Sequence, residues 1–343
     1  MNELAVDIVK FIEMATRLPV IDVRTPAEFE HAHIPGAVNM PLFTNEERSV
    51  IGTLYLKKGS DEALSRGLDM IRPKMKDFAD AGYRIAGDGE ALMHCWRGGM
   101  RSRSMAWLMN TVGIKTYTLI GGYKQFRRYT AEVFAKPLNI VVIGGSTGSG
   151  KTYVLHELKL LGKQVIDLEG LASHKGSVFG SVGMPVQGSN EQFENNLFAE
   201  IIKLNPDLPV FIEDESLSIG NVFVPRPFYS QMSDARFIHL KVSFENRLLR
   251  LIDEYTAGSE DLLIAGVKRL EKRLGLEQAA KAELMIRNGD IKSAAALVLN
   301  YYDKVYARSM TMHKRHSTYD LEVTNETPEE IARRIIKIQS KWN

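Results

Sequence analysis

Two stretches of the sequence have the residue types and the spacing to do chemistry. The first is HCWRGGMRS (residues 94–102), which holds the only cysteine of a 343-residue chain, followed by Arg97, a Gly-Gly pair and Arg101. A structural cysteine packs as a small hydrophobe among apolar neighbours. Cys95 has neighbours that favour a thiolate instead. The second stretch is GSTGSGKT (145–152), a complete G-x-x-x-x-G-K-[ST] pattern placed between an apolar run and a helical one.

Cys95 and Arg101 frame a C-x5-R loop that follows a strand and precedes a helix. Successive backbone N–H groups of such a loop converge as a nest on the sulfur and on any anion attached to it. Arg97 and Arg101 add positive charge, and the helix beginning near Ser102 adds its partial charge. Each effect lowers a thiol from its free pKa of about 8.5. The loop suits a cysteine that carries a sulfur-like atom as a terminal anion, and it equally suits attack on a phosphoryl group. An inert buried thiol is the bland alternative, and the two arginines weigh against it.

In the second stretch Gly145, Gly148 and Gly150 let the amides turn inward around an anion, with Ser146, Thr147 and Ser149 between them. The N-terminus of the following helix adds positive charge. Lys151 is expected to reach the terminal phosphates, and Thr152 to bind a Mg²⁺ ion if one is used. Further on, VFIEDES (210–216) is an apolar run ending in carboxylates, the layout of the metal-organising strand of P-loop proteins. Asp214 is the first choice for that role, with Glu213 and Glu215 as rivals, and a solvent-facing acidic strand end competes with all three. The pattern implies a bound di- or triphosphate; it does not imply hydrolysis.

These loops need elements to position them. PVIDVR (19–24) reads as a buried strand, and TPAEFEHAHI (25–34) opens a helix with a capping Thr and a Pro in the first turn. IPGAVNMPL (34–42) is extended, and 60–82 is helical, ending on Gly82. EALMHC (90–95) is a strand feeding the cysteine loop, and 102–113 is the helix after it. KTYTLIGGYKQFRRY (115–129) gives a strand and a basic helix. A new unit starts near residue 136 with the strand NIVVIG, and further strands are expected at 164–169, 208–216, 235–242 and 317–324. Residues 243–310 have mostly helical apolar spacing. The reading is an α/β chain with parallel sheets: a smaller domain over 1–135 and a larger P-loop domain over 136–343 with a helical insertion at about 243–310.

Composition sets few further bounds. Hydrophobic residues at 44% and charged residues at 25% are ordinary for a globular chain, and a net charge of +2 neither demands nor excludes nucleic acid. A single cysteine excludes an internal disulfide framework and fits a reducing cytosol. The N-terminus lacks the features of a signal peptide, and no apolar run is long enough to span a membrane. Basic residues cluster in YKQFRRY (123–129), KRLEKR (268–273) and HKRH (313–316), either as phosphate-holding patches or as solvated helix faces.

IDVRTPAEFEHAHIPGAVNMPL (21–42) together with CWRGGMRS (95–102) resembles a rhodanese domain. Its direct fusion to a P-loop unit, with GGYKQFRR, GSTGSGKT, DLEGLASHKGSVFG (167–180) and IEDES (212–216) in that order, resembles the tRNA 2-selenouridine synthase family over residues 8–340 or so. GGSTGSGKT and RLGLEQ (273–278) depart slightly from the family's usual forms without touching the phosphate-wrapping glycines.

The resemblance implies a transferase acting on the wobble 2-thiouridine in the anticodon stem-loop of certain tRNAs. It would geranylate that sulfur from geranyl diphosphate and replace it by selenium from selenophosphate. Lys151 and the loop amides would stabilise the departing diphosphate. Cys95 would receive or present selenium, as a perselenide or while attacking selenophosphate, with Arg97 and Arg101 holding the anion. Asp167 and Glu169 are expected to end a strand and face the phosphate site, under a loop of His174, Lys175, Gly176 and Ser177, although an ordinary strand-to-helix loop competes. Gln187, Gln192 and Glu194 are looser candidates for the same cleft. For tRNA phosphates the clusters offer Arg127, Arg128, Lys268, Arg269, Lys272, Arg273, Lys314 and Arg315. Tyr301, Tyr302 and Tyr306 have the chemistry to stack bases, but helix packing is favoured there. A selenophosphate-supplying enzyme and a tRNA thiolase are implied upstream, in the cytoplasm, with no membrane partner.

Two rivals stand against this reading. A rhodanese sulfurtransferase fused to an ATP-dependent small-molecule kinase predicts ATP turnover. A non-catalytic nucleotide-gated tRNA-binding module with Cys95 as redox sensor predicts affinity without any change to the nucleoside.

Overall fold

The computed structural model describes residues 4–87, 89–174, 185–256, 260–312 and 318–342. The chain divides into two compact units, Met1–Val133 with Glu194–Asn196, and Phe134–Phe193 with Leu197–Asn343.

The first unit is built on a parallel sheet of β1 (Leu4–Val6), β2 (Val20–Asp22), β3 (Val38–Asn39), β4 (Glu90–His94) and β5 (Lys115–Leu119), in the order β1-β5-β4-β2-β3. Its helices are α1 (Ile8–Met14), α2 (Pro26–His31), α3 (Asn45–Lys58), α4 (Ser60–Ile71), α5 (Met75–Ala86), α6 (Met100–Thr111) and α7 (Gly122–Phe134). Helix α2 starts where the sequence says it should: Thr25 accepts from the Glu28 amide and Glu28 accepts from the Thr25 amide, a full capping box. The central strand β4 is buried from Ala91 onward, so the loop after it emerges from the middle of the sheet.

The helical stretch expected over 60–82 is in fact two helices, α4 and α5, joined by a short 3-10 turn at Arg72–Lys74 that contains Pro73. Gly82 does not end it. A Cβ on Gly82 would lie 2.4 Å from Met109 Sδ, so this glycine is there to let α5 approach α6. The chain leaves α5 at Gly87, where φ is +58°.

The second unit holds another parallel sheet, of β6 (Ile140–Gly144), β7 (Gln164–Ile166), β8 (Val210–Glu213), β11 (Arg236–Val242) and β12 (Thr318–Val323), ordered β12-β11-β6-β8-β7. A small antiparallel hairpin, β9 (Ser218–Ile219) and β10 (Val222–Phe223), precedes β11. Around the sheet lie α8 (Lys151–Leu160), α9 (Leu168–Leu171), α10 (Asn190–Ile201), α11 (Arg226–Asp234) and α16 (Pro328–Gln339). The helical insertion is α12 (Phe244–Thr256), α13 (Glu260–Leu274), α14 (Leu276–Arg287) and α15 (Ile291–Met312). It has its own core of Leu263, Val267, Leu270, Ala282, Ile286 and Val298.

Strand β6 lies between β8 and β11, so the chain leaves it toward one edge and later returns on the other side. The crevice at the carboxyl end of such a strand is where open parallel sheets bind ligands. The phosphate loop starts there.

Candidate active sites

In the first unit, β4 ends at His94 and delivers Cys95 into a turn that closes on the N-terminus of α6. The thiol is 3% exposed. Its sulfur accepts a hydrogen bond from the Gly99 amide at 3.3 Å and another from the Ser102 hydroxyl at 3.3 Å. Burial works against ionising this thiol, but the Ser102 hydroxyl and the amides of Ser102, Arg97 and Gly99 outweigh it. The thiol is therefore held below its ordinary range. Gly98 and Gly122 make the turn possible, because a Cβ on either would sit within 2.6 Å of backbone atoms across the loop.

The sequence reading gave the lowering to the loop amides, two arginines and the start of the following helix; the structure shows the amides at the sulfur and adds the Ser102 hydroxyl, and it engages one of the arginines elsewhere. Arg101 is bound to Glu28 at 2.8 Å, so its guanidinium is largely neutralised by the carboxylate that also caps α2. Arg97 does line the cavity of about 610 Å³ that contains Cys95, together with Glu28, Arg48, Trp96 and Arg101. Ser102, Glu28 and Arg48 were not picked out by sequence. A hydroxyl seven residues past a cysteine has no signature until the turn folds it back.

Beneath the loop, Arg24 is buried and bound to Asp22 at 2.6 Å and to the Ala32 carbonyl at 2.7 Å, with its guanidinium 3.9 Å from the Tyr123 ring centroid. The Asp-Val-Arg stretch is thus a buried ion pair fixing the base of the site. His94 beside it is kept neutral chiefly by burial.

In the second unit, the phosphate loop runs from Gly145 to Gly150, with Gly148 at φ +79° and Gly150 at φ +81° as the cap of α8. Lys151 donates to the Gly145 carbonyl at 2.9 Å. The Ser149 hydroxyl is buried with no partner among the described residues, an unsatisfied donor inside a cradle shaped for an anion. Two arginines that sequence reasoning missed brace the loop from α12. Arg247 donates to the Thr147 carbonyl at 3.2 Å and is held by Asp303 of α15, with both bonds at 2.8 Å. Arg250 donates to the Gly148 carbonyl at 2.8 Å.

The carboxylates differ from expectation. Glu169, Glu213 and Glu215 bring one oxygen each to within 4.8 Å of one another. Asp214 lies outside this group and accepts from the Tyr306 hydroxyl at 3.4 Å. The strand ends at Glu213 and the chain turns at once, the Glu215 amide donating to the Glu213 carbonyl at 3.0 Å, and this turn accompanies the pairing of Glu213 with Glu215 rather than with Asp214. Thr152 donates to Glu169 at 3.1 Å and approaches Glu213 at 3.5 Å. Burial and the neighbouring acidic charges push Glu213 well up and Glu215 to about 8. Glu169 is also raised, chiefly by burial, against the opposing charge of Lys151.

Nor do Asp167 and Glu169 end a strand. Strand β7 stops at Ile166, Asp167 caps α9 by accepting from the Gly170 amide at 2.7 Å, and Glu169 sits on that helix. Its amide donates to Glu213 at 2.9 Å, which locks the cluster together.

Family profiles agree with this division. Residues 138–335 match the family described as tRNA 2-selenouridine synthase AAA domain, and residues 7–129 match the rhodanese-like domain. The chain belongs to the tRNA 2-selenouridine synthase family. It is 36% identical over 252 residues to a protein of Nitrosomonas europaea named tRNA 2-selenouridine synthase, covering 69% of this chain and 63% of the relative. A Bdellovibrio bacteriovorus protein of the same name is also 36% identical over 252 residues, covering 71% of this chain and 65% of the relative. The match thus spans less than two thirds of either relative's length. Among solved structures, the tRNA isopentenylpyrophosphate transferase of Bacillus halodurans overlaps 60% of this chain and 96% of its own at 12% identity, with a TM-score of 0.36.

Within this family member the remaining sequence candidates fall into three groups. Lys175, Gly176, Ser177, Lys314 and Arg315 lie outside the described residues. Several others are engaged in the protein itself. Arg127 is paired with Glu194, Arg128 with Glu132 at 3.1 Å, and Lys268 with Glu283 at 3.8 Å. Gln187 braces Ala172, Ile219 and Asn221, and the Gln192 amide is capped by Ser189. Tyr301 and Tyr302 pack against the helical core rather than standing free. Finally, His174 is held below its ordinary range by burial and by the charge of Arg269, which places one basic candidate near the loop. Lys272 and Arg273 lie in the last turn of α13. No helix among the described residues is long and apolar enough to cross a membrane.

Proposed function

We propose that the chain is a tRNA 2-selenouridine synthase that acts on wobble 2-thiouridine in two steps, each at its own site. One observation carries the reading: a single chain holds both a complete phosphate loop and a thiol cradled for ionisation. In the first step the thiocarbonyl sulfur attacks the allylic carbon of geranyl diphosphate. The carbon–oxygen bond breaks, diphosphate leaves, and the base loses its N3 proton. Residues Gly145 to Thr152 hold the leaving group, with the Ser149 hydroxyl and Lys151 as donors.

The donor set of Glu169, Glu213, Glu215 and the Thr152 hydroxyl is all oxygen and lies beside the loop, which fits a hard divalent cation such as Mg²⁺. Bound there, the cation supplies positive charge to the diphosphate.

In the second step Cys95 acts on selenophosphate. Attack of the thiolate on phosphorus breaks the phosphorus–selenium bond, releases selenide and leaves a phosphoryl thioester of cysteine that water clears. Selenium stays at the same oxidation level throughout, so no reductant is needed; a perselenide on Cys95 would require an oxidant. Selenide then adds to the activated ring carbon, and geranyl thiol departs with a proton. Arg97 and the loop amides hold the phosphate. The partners of this reaction are tRNA, an enzyme that makes selenophosphate and one that thiolates the wobble uridine, all in the cytoplasm.

The test is nucleoside mass analysis after incubating the protein with 2-thiouridine tRNA, geranyl diphosphate and selenophosphate. Loss of sulfur and gain of selenium at the wobble position is the expected result. An unchanged nucleoside together with ATP consumption would overturn the reading in favour of a kinase fusion.

A further inference from the structure

Helices α3, α4 and α6 line a cavity of about 810 Å³ whose walls are mainly apolar, with Phe43, Ile51, Leu64, Leu68, Met100 and Trp107 among them. Several of these side chains are far more open than their chemistry favours. Leu68 is 58% exposed, Met100 63% and Trp107 56%. Scattered exposed hydrophobes are ordinary, but a concave, contiguous set of this volume matches a small-molecule site.

The cavity is also charged at one end only. Arg48, Arg97, Met100 and Arg101 line both this cavity and the one that contains Cys95. The two spaces therefore share a wall at which apolar surface gives way to guanidinium groups and the thiol. A ligand that fits has a hydrocarbon tail, with a polar or anionic group at the junction.

We propose that this cavity holds the hydrocarbon tail of the S-alkylated nucleoside during the selenium step, so that the carbon–sulfur bond to be broken lies beside Cys95. The assignment rests on the two-step reading above. Its consequence is selection: a nucleoside without the tail leaves the apolar walls wet and binds weakly. Selenide released at Cys95 then meets only carbons already carrying a good leaving group. Burying a chain of this kind discriminates by at least tenfold or so, since one methylene alone is worth ~10-fold or more in a fitted pocket.

The test uses the full chain and an anticodon stem-loop bearing either S-geranyl- or S-methyl-2-thiouridine, titrated against wild type, Leu68→Asp and Ser104→Trp. Leu68 is open and Ser104 lies on the exposed face of α6, so neither variant disturbs the core. Wild type is expected to prefer the S-geranyl form by about tenfold or more, and both variants to lose that preference while holding the S-methyl form as before. With tRNA the variants are expected to geranylate normally and to accumulate the geranylated nucleoside. If wild type converts tRNA but shows no preference, or if both variants keep it, the cavity assignment falls and the two-step reading stands. If wild type converts nothing yet the variants erase a real preference, the two-step reading falls and the ligand class stands. A wild-type dimer that both variants dissociate would make the cavity a self-association surface and overturn the proposal.

Discussion

At the scale of single residues, the reactive thiol depends on donors rather than on net charge. Because the Ser102 hydroxyl and three amides lower the Cys95 thiol against the cost of burial, removing the hydroxyl has a signed effect. Ser102→Ala is expected to raise the thiol pKa, moving the pH profile of Cys95 alkylation to higher pH and slowing it several-fold at pH 7. A profile that does not move would return the role to the arginines. Arg97 and Arg101 were legible in the sequence because they are adjacent to the cysteine. What was not legible is that Arg101 is bound to Glu28, a partner 73 positions away.

Asp22 gives a second residue-scale prediction. Burial opposes its ionisation, and the Arg24 hydrogen bonds and charge override that, leaving its carboxyl below the usual range. Arg24→Met would strand the carboxylate in the core, and a loss of about 3–5 kcal/mol is expected in urea unfolding at pH 7. Since the folded-state pKa is depressed, the stabilisation is complete above the unfolded value of about 3.9 and fades as pH falls through the folded one. In the variant burial pushes the stranded carboxyl up, so the gap should begin to narrow as pH falls through that raised value and keep narrowing until the wild-type carboxyl itself takes a proton below about pH 4. A gap that is constant from pH 3 to 7 would mean that packing, not charge, sets the loss.

At the scale of elements, the two loops share a design: a buried parallel strand ends, the chain turns through glycines, and a helix begins with free amides. That much is written contiguously in CWRGGMRS and GSTGSGKT, and so it could be read without a structure. The supports are not contiguous. Arg247 and Arg250 reach the phosphate loop from about a hundred residues away, and Asp303 fixes Arg247 from the last helix of the insertion. The sequence shows these only as charges on an amphipathic helix. The choice of Glu213 and Glu215 over Asp214 was hidden for a different reason, since it turns on which face of the strand end meets α9. Arg247→Ala is expected to weaken diphosphate binding by roughly tenfold in calorimetry, because the loop carbonyl loses its tether and Asp303 is left part-buried without its partner. Unchanged affinity would show that the insertion does not shape the site.

At the scale of the whole molecule, the proposed function puts two separable chemistries on one chain. With a net charge of only +2, the proposed tRNA binding would fall to local clusters, and within the described residues Arg127, Arg128 and Lys268 are already paired with carboxylates. The pairs of Arg128 and Lys268 hold exposed cations, are worth little and exchange readily for phosphate, whereas Arg127 is part-buried against Glu194 and Asn195. On the proposed function the alkylated tRNA is the intermediate that connects the steps, and it is a molecule that one protein copy can release and another can take up.

The measurement that tests this most directly mixes two inactive variants. Lys151→Ala alone should leave 2-thiouridine unmodified but convert tRNA that is already geranylated. Cys95→Ala alone should stop at the geranylated nucleoside. An equimolar mixture of the two, given 2-thiouridine tRNA and both donors, is predicted to form 2-selenouridine. If the mixture forms none, although each variant is folded and performs its own step, the steps are not separable in the way proposed. If Cys95→Ala alone forms 2-selenouridine, the thiol is not the selenium site and the central claim is wrong.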